Sequence, residues 1–173
     1  MAIDVITYKA PSVFPGDLTR PTAPFITEVG VQLTATPVTL FGVPVAIDAG
    51  TGHYRPIAGG DVTATVQGFS VRTFPTQSSA YPNSAINAGG PSATDTLTIL
   101  KEGYIGVSVY GSGAAPTKGS AVYVGTIANA GVTAVGRISS AADGGNSFAL
   151  TGAHFTGGVD ANGNSEIYVR IPA

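Results

Sequence analysis

Glycine and proline interrupt this chain so often that long helices have no place to form. Among 173 residues there are 24 glycines and 12 prolines, and the longest stretch without either is residues 92–102. Proline breaks a helix and glycine weakens its interior, so this spacing favours short strands joined by turns. Within residues 92–102, Leu97 and Ile99 alternate with threonines, which is the period of a strand. The sequence therefore predicts an all-β fold.

Several other segments have the two-residue alternation of a half-buried strand, and the clearest is residues 166–171. Further predicted strands are residues 31–35, 43–47, 62–74, 105–109, 121–127, 132–138 and 148–150. Turn-forming residues bound each of them. Together they predict an antiparallel sandwich or barrel of roughly eight to ten short strands with an extended N-terminal arm.

Two positions predict local irregularity in this sheet. The apolar residues of segment 62–74 change parity at Gly68, which indicates a β-bulge there. Pro44 lacks the N–H that a ladder needs, so it predicts either an edge strand or a strand start.

The distribution of proline also suggests the domain organisation. Residues 1–26 carry four prolines and only weak alternation, which predicts an extended Pro-rich arm. Residues 27–173 would form the β-rich domain. A loop at residues 76–91 would join two lobes within it, residues 27–75 and residues 92–173.

Low charge is the most informative feature of the composition. Only 10% of residues are charged and the formal net charge is −2, whereas an ordinary soluble domain has roughly 25% charged residues. Such a surface repels other copies weakly and predicts contact with other polypeptides, including copies of itself. The eight basic residues are scattered and form no stripe for phosphates, so nucleic acid is not an expected partner.

Other compositional features exclude further classes. The chain has no cysteine, which removes disulfides, thiolate nucleophiles and cysteine zinc sites and fits a reducing cytoplasm. No apolar run approaches the ~18 residues that a membrane span requires. The first residues lack the basic start and apolar run of a secretion signal.

Candidate catalytic residues are few. His53 and His154 are the two histidines, and neither lies in a recognisable catalytic motif. Glu28, Glu102, Glu166 and seven aspartates leave a glycosidase-like carboxylate pair open, but the chain has no tryptophan to stack on a sugar. We therefore predict no enzyme activity, no catalytic residues and no cofactor.

Two motifs resemble ligand loops only in part. Residues 160–164 begin like a calcium loop, yet the sixth position is Ser165 and the twelfth is Ile171 instead of glycine and glutamate. Asn162 and Gly163 before a strand indicate a hairpin turn instead. Residues 111–120 lack the glycine before Lys118 and the following helix of a phosphate loop. Neither motif predicts a metal or phosphate site.

In their order along the chain and in the general character of their residues, six segments resemble the structural cement, or capsid decoration, proteins of tailed bacteriophages. The likeness extends from Pro15 to Ile171. The segments are residues 41–46, 55–57, 68–75, 103–109, 118–124 and 166–171.

This resemblance implies a virion protein that binds the outer surface of the head and bridges neighbouring major capsid protein subunits without a cofactor. The expected protein is a homo-oligomer, a dimer or a trimer, that is made in the cytoplasm of the bacterial host. One alternative is a head-fibre base or a carbohydrate-binding β-sandwich module, for which the seven tyrosines would supply stacking surfaces. An enzyme is a third hypothesis and would need the histidines or carboxylates to converge in a pocket.

Overall fold

The computed structural model describes residues 13–72, 90–91, 96–111 and 113–171. Nine β-strands and two short 3₁₀ turns, Thr63–Thr65 and Gly144–Asn146, occupy this part of the chain. The strands are β1 (Ile26–Val31), β2 (Pro44–Ile47), β3 (Tyr54–Pro56), β4 (Val66–Val71), β5 (Thr96–Ser108), β6 (Ala121–Gly125), β7 (Ile138–Ser139), β8 (Ser147–Phe155) and β9 (Asn164–Arg170).

These strands form one curled antiparallel sheet in the order β3-β2-β4-β5-β9-β8-β6-β7, with β1 paired to β5. The curl brings the outer strands towards each other and encloses the core, as in half of a barrel. The predicted all-β antiparallel fold is confirmed. Among the described residues, no helix is long and apolar enough to cross a membrane.

Strand β5 organises the sheet because it pairs with three other strands. β4 and β1 both pair with its residues 98–100, so they occupy opposite edges of β5. β9 pairs with its second half, from Glu102 to Ser108. The two strands predicted over residues 92–102 and 105–109 are therefore one strand of 13 residues.

Gly103 explains why the sequence suggests two strands here. Its φ is +139°, and a Cβ at this position would lie 2.9 Å from Cβ of Phe25. Glycine thus lets β5 continue through a conformation and a contact that other residues resist. The face of the strand changes just before Gly103, at a bulge: in the ladder with β1, Ile26 pairs with Glu102 but Thr27 pairs with Leu100, which leaves Lys101 as the extra residue. Leu100 and Ile105 therefore both reach the main core although their numbers differ in parity.

The predicted bulge at Gly68 is confirmed. In the ladder of β2 and β4, Val45 pairs with Gly68 but Ala46 pairs with Val66, which leaves Gln67 as the extra residue. The preceding part of segment 62–74 is not a strand, because residues 63–65 form a 3₁₀ turn. Residues 73–74 lie outside the described residues.

Other predicted strands differ from the observed ones at their ends. Segment 31–35 is wrong as a strand beyond Val31, because the chain turns there and Thr36 N–H donates to the carbonyl of Leu33. Segment 132–138 contributes only Ile138 to β7, since Gly136 adopts positive φ within a turn. Segments 121–127 and 148–150 correspond to β6 and to part of the longer β8.

Pro44 begins β2, as one of its two predicted roles requires. The other role is wrong: β2 lies between β3 and β4 and is not an edge strand. Pro44 is tolerated because it stands at the start of the strand. The N–H of the preceding residue, Val43, donates to the hydroxyl of Ser70.

Two clusters of buried apolar residues form the core that the sheet encloses. The main cluster contains Ala46, Ile57, Val66, Phe69, Val71, Leu100, Ile105, Val107, Val122, Val124, Ile138, Leu150, Phe155, Ile167 and Val169. The second cluster contains Val38, Val45, Tyr54, Leu97 and Ile99. A bridge between Gln32 and Tyr54 joins the end of β1 to β3, so β1, β5, β4, β2 and β3 form a ring around the second cluster.

Part of the predicted arm lies along β5. Gly16 N–H donates to the carbonyl of Gly106, and Gly106 N–H donates to the carbonyl of Asp17. Leu18 packs on the main core. Residues 1–12 lie outside the described residues, as does most of the predicted loop at residues 76–91. The boundary of the arm at residue 26 and the division into two lobes stay predictions, although β4 and β5, one from each predicted lobe, pair directly.

Glu166 on β9 fastens this N-terminal segment to the sheet. Arg20 donates from Nη2 to its Oε1 at 2.6 Å, and Thr156 Oγ1 donates to the same oxygen at 2.6 Å. Thr19 Oγ1 and Arg20 Nε donate to Oε2. Burial raises the pKa of Glu166, but the hydrogen bonds from Arg20, Thr156 and Thr19 outweigh burial and hold the pKa below its ordinary value.

Replacing Gly68 tests the bulge. A Cβ there would lie 2.5 Å from Ile99 Cγ2 and 2.5 Å from the carbonyl oxygen of Leu100. We expect Gly68→Ala to lower the free energy of unfolding by about 2–4 kcal/mol, measured by urea denaturation. Gly119→Ala is the control, because Gly119 also has positive φ but meets nothing within 4 Å; it should cost about 1 kcal/mol. Equal losses for the two variants would contradict the steric explanation.

Replacing Glu166 tests the clamp. At pH 7, Glu166→Gln should lower the free energy of unfolding by about 2 kcal/mol, because charge-assisted hydrogen bonds are lost. Since the folded-state pKa is lowered, the contribution is present above the ordinary value of 4.5 and is lost as the pH falls through the folded-state pKa. The difference between the two proteins should therefore shrink in urea titrations at acidic pH.

The control for this clamp is Glu28→Gln. Glu28 forms a 3.3 Å ion pair with Lys101, but its side chain is 43% exposed, so the change should cost less than about 1 kcal/mol. A difference between wild type and Glu166→Gln that is constant with pH would show that the charge of Glu166 is not what stabilises the segment.

Candidate functional site

The two histidines lie on different elements. His53 ends a turn in which Asp48 N–H donates to its carbonyl oxygen at 2.9 Å. His154 is exposed on β8, and its ring centroid lies 5.4 Å from that of Tyr168. The ring of His154 therefore packs against Tyr168, and the two histidines lie on separate elements of the fold.

All three glutamates lie against cations of the same chain. Glu28 pairs with Lys101, Glu102 lies 3.8 Å from Arg170, and Glu166 binds Arg20. Glu102 also accepts a hydrogen bond from the hydroxyl of Tyr168. A general acid or base needs a carboxyl group that can exchange its proton with a substrate. These carboxylates are instead committed to donors within the chain.

The predicted turn at residues 160–164 is confirmed. Asp160 Oδ1 accepts the backbone N–H groups of Asn162 and Asn164, and Gly163 adopts positive φ. The carboxylate thus organises the turn that leads into β9. Among the described residues, no group of three or more histidines and acidic residues is arranged to hold a metal ion.

Asp143 is the centre of a second polar cluster. Its carboxylate accepts hydrogen bonds from Asn129, Thr133 and Asn146 at 2.8–3.3 Å. The hydrogen bonds from Thr133 and Asn129 lower the pKa of Asp143. The contacts with Asn129 and Thr133 join the two segments that flank β7, so this cluster fixes their relative geometry.

A groove of about 770 Å³ runs between residues 13–20 and residues 156–166. Asp17 and Glu166 both line it. Burial raises the pKa of Asp17 despite the positive charge of Arg72, whereas the pKa of Glu166 is lowered by its hydrogen bonds. Opposed carboxyl pKa values are typical of acid and base pairs. Both carboxylate oxygens of Glu166, however, already accept hydrogen bonds from Arg20, Thr19 or Thr156. The Glu166 carboxylate is therefore not available as a general base in the groove.

Three aromatic rings form a row across β5, β9 and β8. Tyr104 and Tyr168 have ring centroids 5.1 Å apart and planes inclined at 58°, and His154 is inclined at 40° to Tyr168. Arg20 covers one face of Tyr104 at 4.2 Å. Because the rings are tilted and one is covered, this row is not a flat stacking platform for a sugar.

The β1 surface is the first of two uncovered apolar surfaces. It consists of Phe25, Ile26, Val29 and Val31, whose exposed fractions are 44%, 56%, 69% and 54%. Three of them belong to β1 and Phe25 directly precedes it; β1 pairs with β5 along one of its edges. Sequence reasoning missed most of this strand by placing it at residues 31–35, although the alternation continues backwards through Val29 to Thr27.

The loop surface is the second. It consists of Val62, Ile127 and Val135, which are 51%, 51% and 43% exposed. The loops that carry them approach each other: a Cβ on Gly59 would lie 3.7 Å from the carbonyl oxygen of Thr126, and one on Gly136 would lie 3.9 Å from Cβ of Ile57. Next to Val62, Thr63 accepts the N–H of Thr151 on β8. No motif marked these residues in the sequence.

Comparisons with known proteins identify the family of this chain. The profile of the XM1 gp53 minor capsid protein family matches residues 4–169. One chain of a solved structure entitled "The capsid of Myoviridae Phage XM1" has the same fold, with a TM-score of 0.65 and 18% identity over 98% of each chain. No curated protein sequence matches the chain significantly. The extent of the profile match shows that the chain belongs to the XM1 gp53 minor capsid protein family, and that it is a structural protein of a bacteriophage capsid.

Proposed function

We propose that this protein binds the outer surface of the bacteriophage head and cements neighbouring major capsid protein subunits. It acts without catalysis or a cofactor, as a homo-oligomer that is made in the cytoplasm of the host. The observation that carries this proposal is the presence of two uncovered apolar surfaces, the β1 surface and the loop surface, in a minor capsid protein. Exposed apolar patches of this kind mark contacts with other proteins.

Two contact surfaces are what a cement requires. A ligand that binds only the assembled head stabilises it by mass action, because separation of the capsomers would release the binding energy. A protein that touches two capsomers gains further from the high effective concentration of its second contact. A standard interface buries about 1,600 Å² in total, which one face of a small domain can supply.

The charges of the chain support apolar binding. Five ion pairs lie within the described residues, and they join Arg20, Arg55, Arg72, Lys101 and Arg170 to acidic partners of the same chain. With these charges satisfied internally, few remain to steer the protein onto a charged capsid. Binding should therefore depend on burial of apolar area more than on charge attraction.

Salt dependence separates these two modes of binding. We expect the dissociation constant for undecorated heads to change less than about threefold between 50 mM and 500 mM NaCl, because screening weakens exposed charge pairs but not apolar contacts. Cosedimentation with heads at each salt concentration measures this constant. A loss of affinity of tenfold or more would show that charged contacts dominate.

Variants of the loop surface test the proposed role directly. Ile127→Lys combined with Val135→Lys should lower head occupancy at least tenfold, because charged side chains would replace apolar contacts. Ile47→Lys is a matched control: Ile47 is also exposed, at 38%, and belongs to neither surface. Occupancy is measured by cryo-electron microscopy of undecorated heads mixed with each purified protein, with circular dichroism as the test of folding.

The same images test the location and the cementing role. We expect density on the outside of the head that spans at least two capsomers, and decorated heads should withstand a higher temperature than bare heads. Density on the inner surface, or occupancy without any gain in thermal resistance, would contradict the proposal. Specific retention on a glycan array without affinity for heads would favour a carbohydrate-binding module instead.

A further inference from the structure

The groove between residues 13–20 and residues 156–166 contains a buried acceptor that the chain leaves unused. Asp160 Oδ1 accepts the backbone N–H groups of Asn162 and Asn164 at 2.8 and 2.9 Å. Its Oδ2 is buried, and no donor in the described residues reaches it. Buried polar atoms of native proteins nearly always have a hydrogen-bond partner. A donor from outside this chain is therefore expected at Asp160.

Asn164 is a second polar group with unused hydrogen-bonding capacity. It is 8% exposed and lines the same groove, on the face of β9 that carries Glu166 two residues further on. Its backbone N–H is bound to Asp160, whereas its side-chain carboxamide has no hydrogen-bond partner in the part of the chain that the structure describes. A carboxamide oxygen accepts hydrogen bonds from N–H donors. Asp160 and Asn164 thus offer acceptors to one occupant.

The charges that line the groove favour a cationic occupant. Asp17, Asp160 and Glu166 are acidic, and the basic residue that lines the groove, Arg20, is bound to Glu166 at 2.6 Å. Arg72 Nε is 3.7 Å from Asp17 Oδ1 and balances a second acidic group. Three acidic groups against two basic ones leave one negative charge, and the side chain of Asp17 is 40% exposed. A cleft of one sign attracts ligands of the opposite sign.

Apolar side chains line the same groove, which narrows the class of cation. Val13, Phe14 and Val159 are among them, and Val159 is 39% exposed. A metal ion would leave this apolar surface unused, and no group of three or more histidines and acidic residues in the described ranges could hold one. Arginine and lysine side chains combine an apolar stem with a cationic end. Arginine fits best, because its N–H donors can serve several acceptors at once.

The pairing of charges within the chain indicates where this basic side chain comes from. Five of the eight basic residues already pair with acidic residues of the same copy. A second copy therefore has few basic side chains to offer. The capsid protein that this protein cements is the favoured source.

We infer that the groove receives an arginine or lysine side chain of the major capsid protein, whose cationic end lies between Asp17, Asp160 and Asn164. The inference rests on the proposed function and names one contact of the cemented capsid. A charge pair at an interface contributes mainly to the choice and orientation of the partner. Because this pair is partly buried, salt screens it little, which agrees with the weak salt dependence expected for head binding.

A small probe tests the groove without the capsid. N-acetyl-L-arginine amide carries the apolar stem and the cation, whereas N-acetyl-L-citrulline amide has nearly the same shape and no charge. In titrations followed by nitrogen–proton correlation NMR, the backbone signals of Asn164 and Ser165 should shift with the arginine probe, with a dissociation constant of about 1–10 mM. The citrulline probe should bind at least about fivefold more weakly, because its hydrogen bonds are not charge-assisted.

Removal of the negative charges tests the named residues. Asp160→Asn keeps an oxygen for the turn but removes the charge, and Asp17→Asn removes the exposed one. The double variant should bind the arginine probe at least about fivefold more weakly, and undecorated heads at least about tenfold more weakly in cosedimentation.

Asp48→Asn is the matched control for this double variant. Asp48 Oδ1 also accepts a backbone N–H in a turn, from Thr51 at 2.9 Å, but Asp48 lies outside the groove. Its affinities for the probe and for heads should equal those of the wild type. Circular dichroism checks that each variant folds.

Three outcomes would overturn the inference: equal affinity of the two probes, no shift with either probe, and a double variant that binds heads as the wild type does. If the double variant binds heads normally while Ile127→Lys with Val135→Lys does not, the cementing role stands and the groove inference fails. If the wild type does not bind heads, the proposed function and the capsid protein as the source of the side chain both fail, whatever the probe titration gives.

Discussion

The change of face in β5 between Leu100 and Glu102 is the constraint on which the rest of the structure depends. Before this point Leu97 and Ile99 point into the second cluster, and after it Ile105 and Val107 point into the main cluster. A regular strand of this length would direct one parity of residues to a single side. The switch lets one strand support two cores, with β4 and β1 on its first half and β9 on its second.

How far the sequence predicts this fold depends on the range of the interactions involved. Short-range patterns are sufficient for the all-β class, for β9 and for the bulge at Gly68, since each follows from alternation and from nearby glycine. The continuity of β5 through Gly103 and the packing of residues 13–20 on it depend on contacts far away in the chain. Glu166 illustrates this: its partners Thr19 and Arg20 lie 147 and 146 positions away.

The candidate surfaces were less predictable than the fold. Composition indicates that the protein meets other chains, but it does not say where, because exposure of an apolar residue is decided by tertiary packing. Val29 and Val31 have the same alternation as buried strand residues elsewhere in the chain. They are exposed because nothing in the described structure covers the outer face of β1.

Internally paired charges and exposed apolar surfaces both favour contact of this protein with other polypeptides. In the described residues, four carboxylates form ion pairs or hydrogen bonds that join segments of the chain: those of Glu28, Glu102, Asp143 and Glu166. Polar groups committed in this way stabilise the fold and leave little charge to repel a neighbouring copy. A chain with few charges, ten of which pair with each other in the described residues, has little charge repulsion to oppose association. A capsid is a setting in which this balance is stable, because a neighbouring polypeptide can cover each exposed apolar strand.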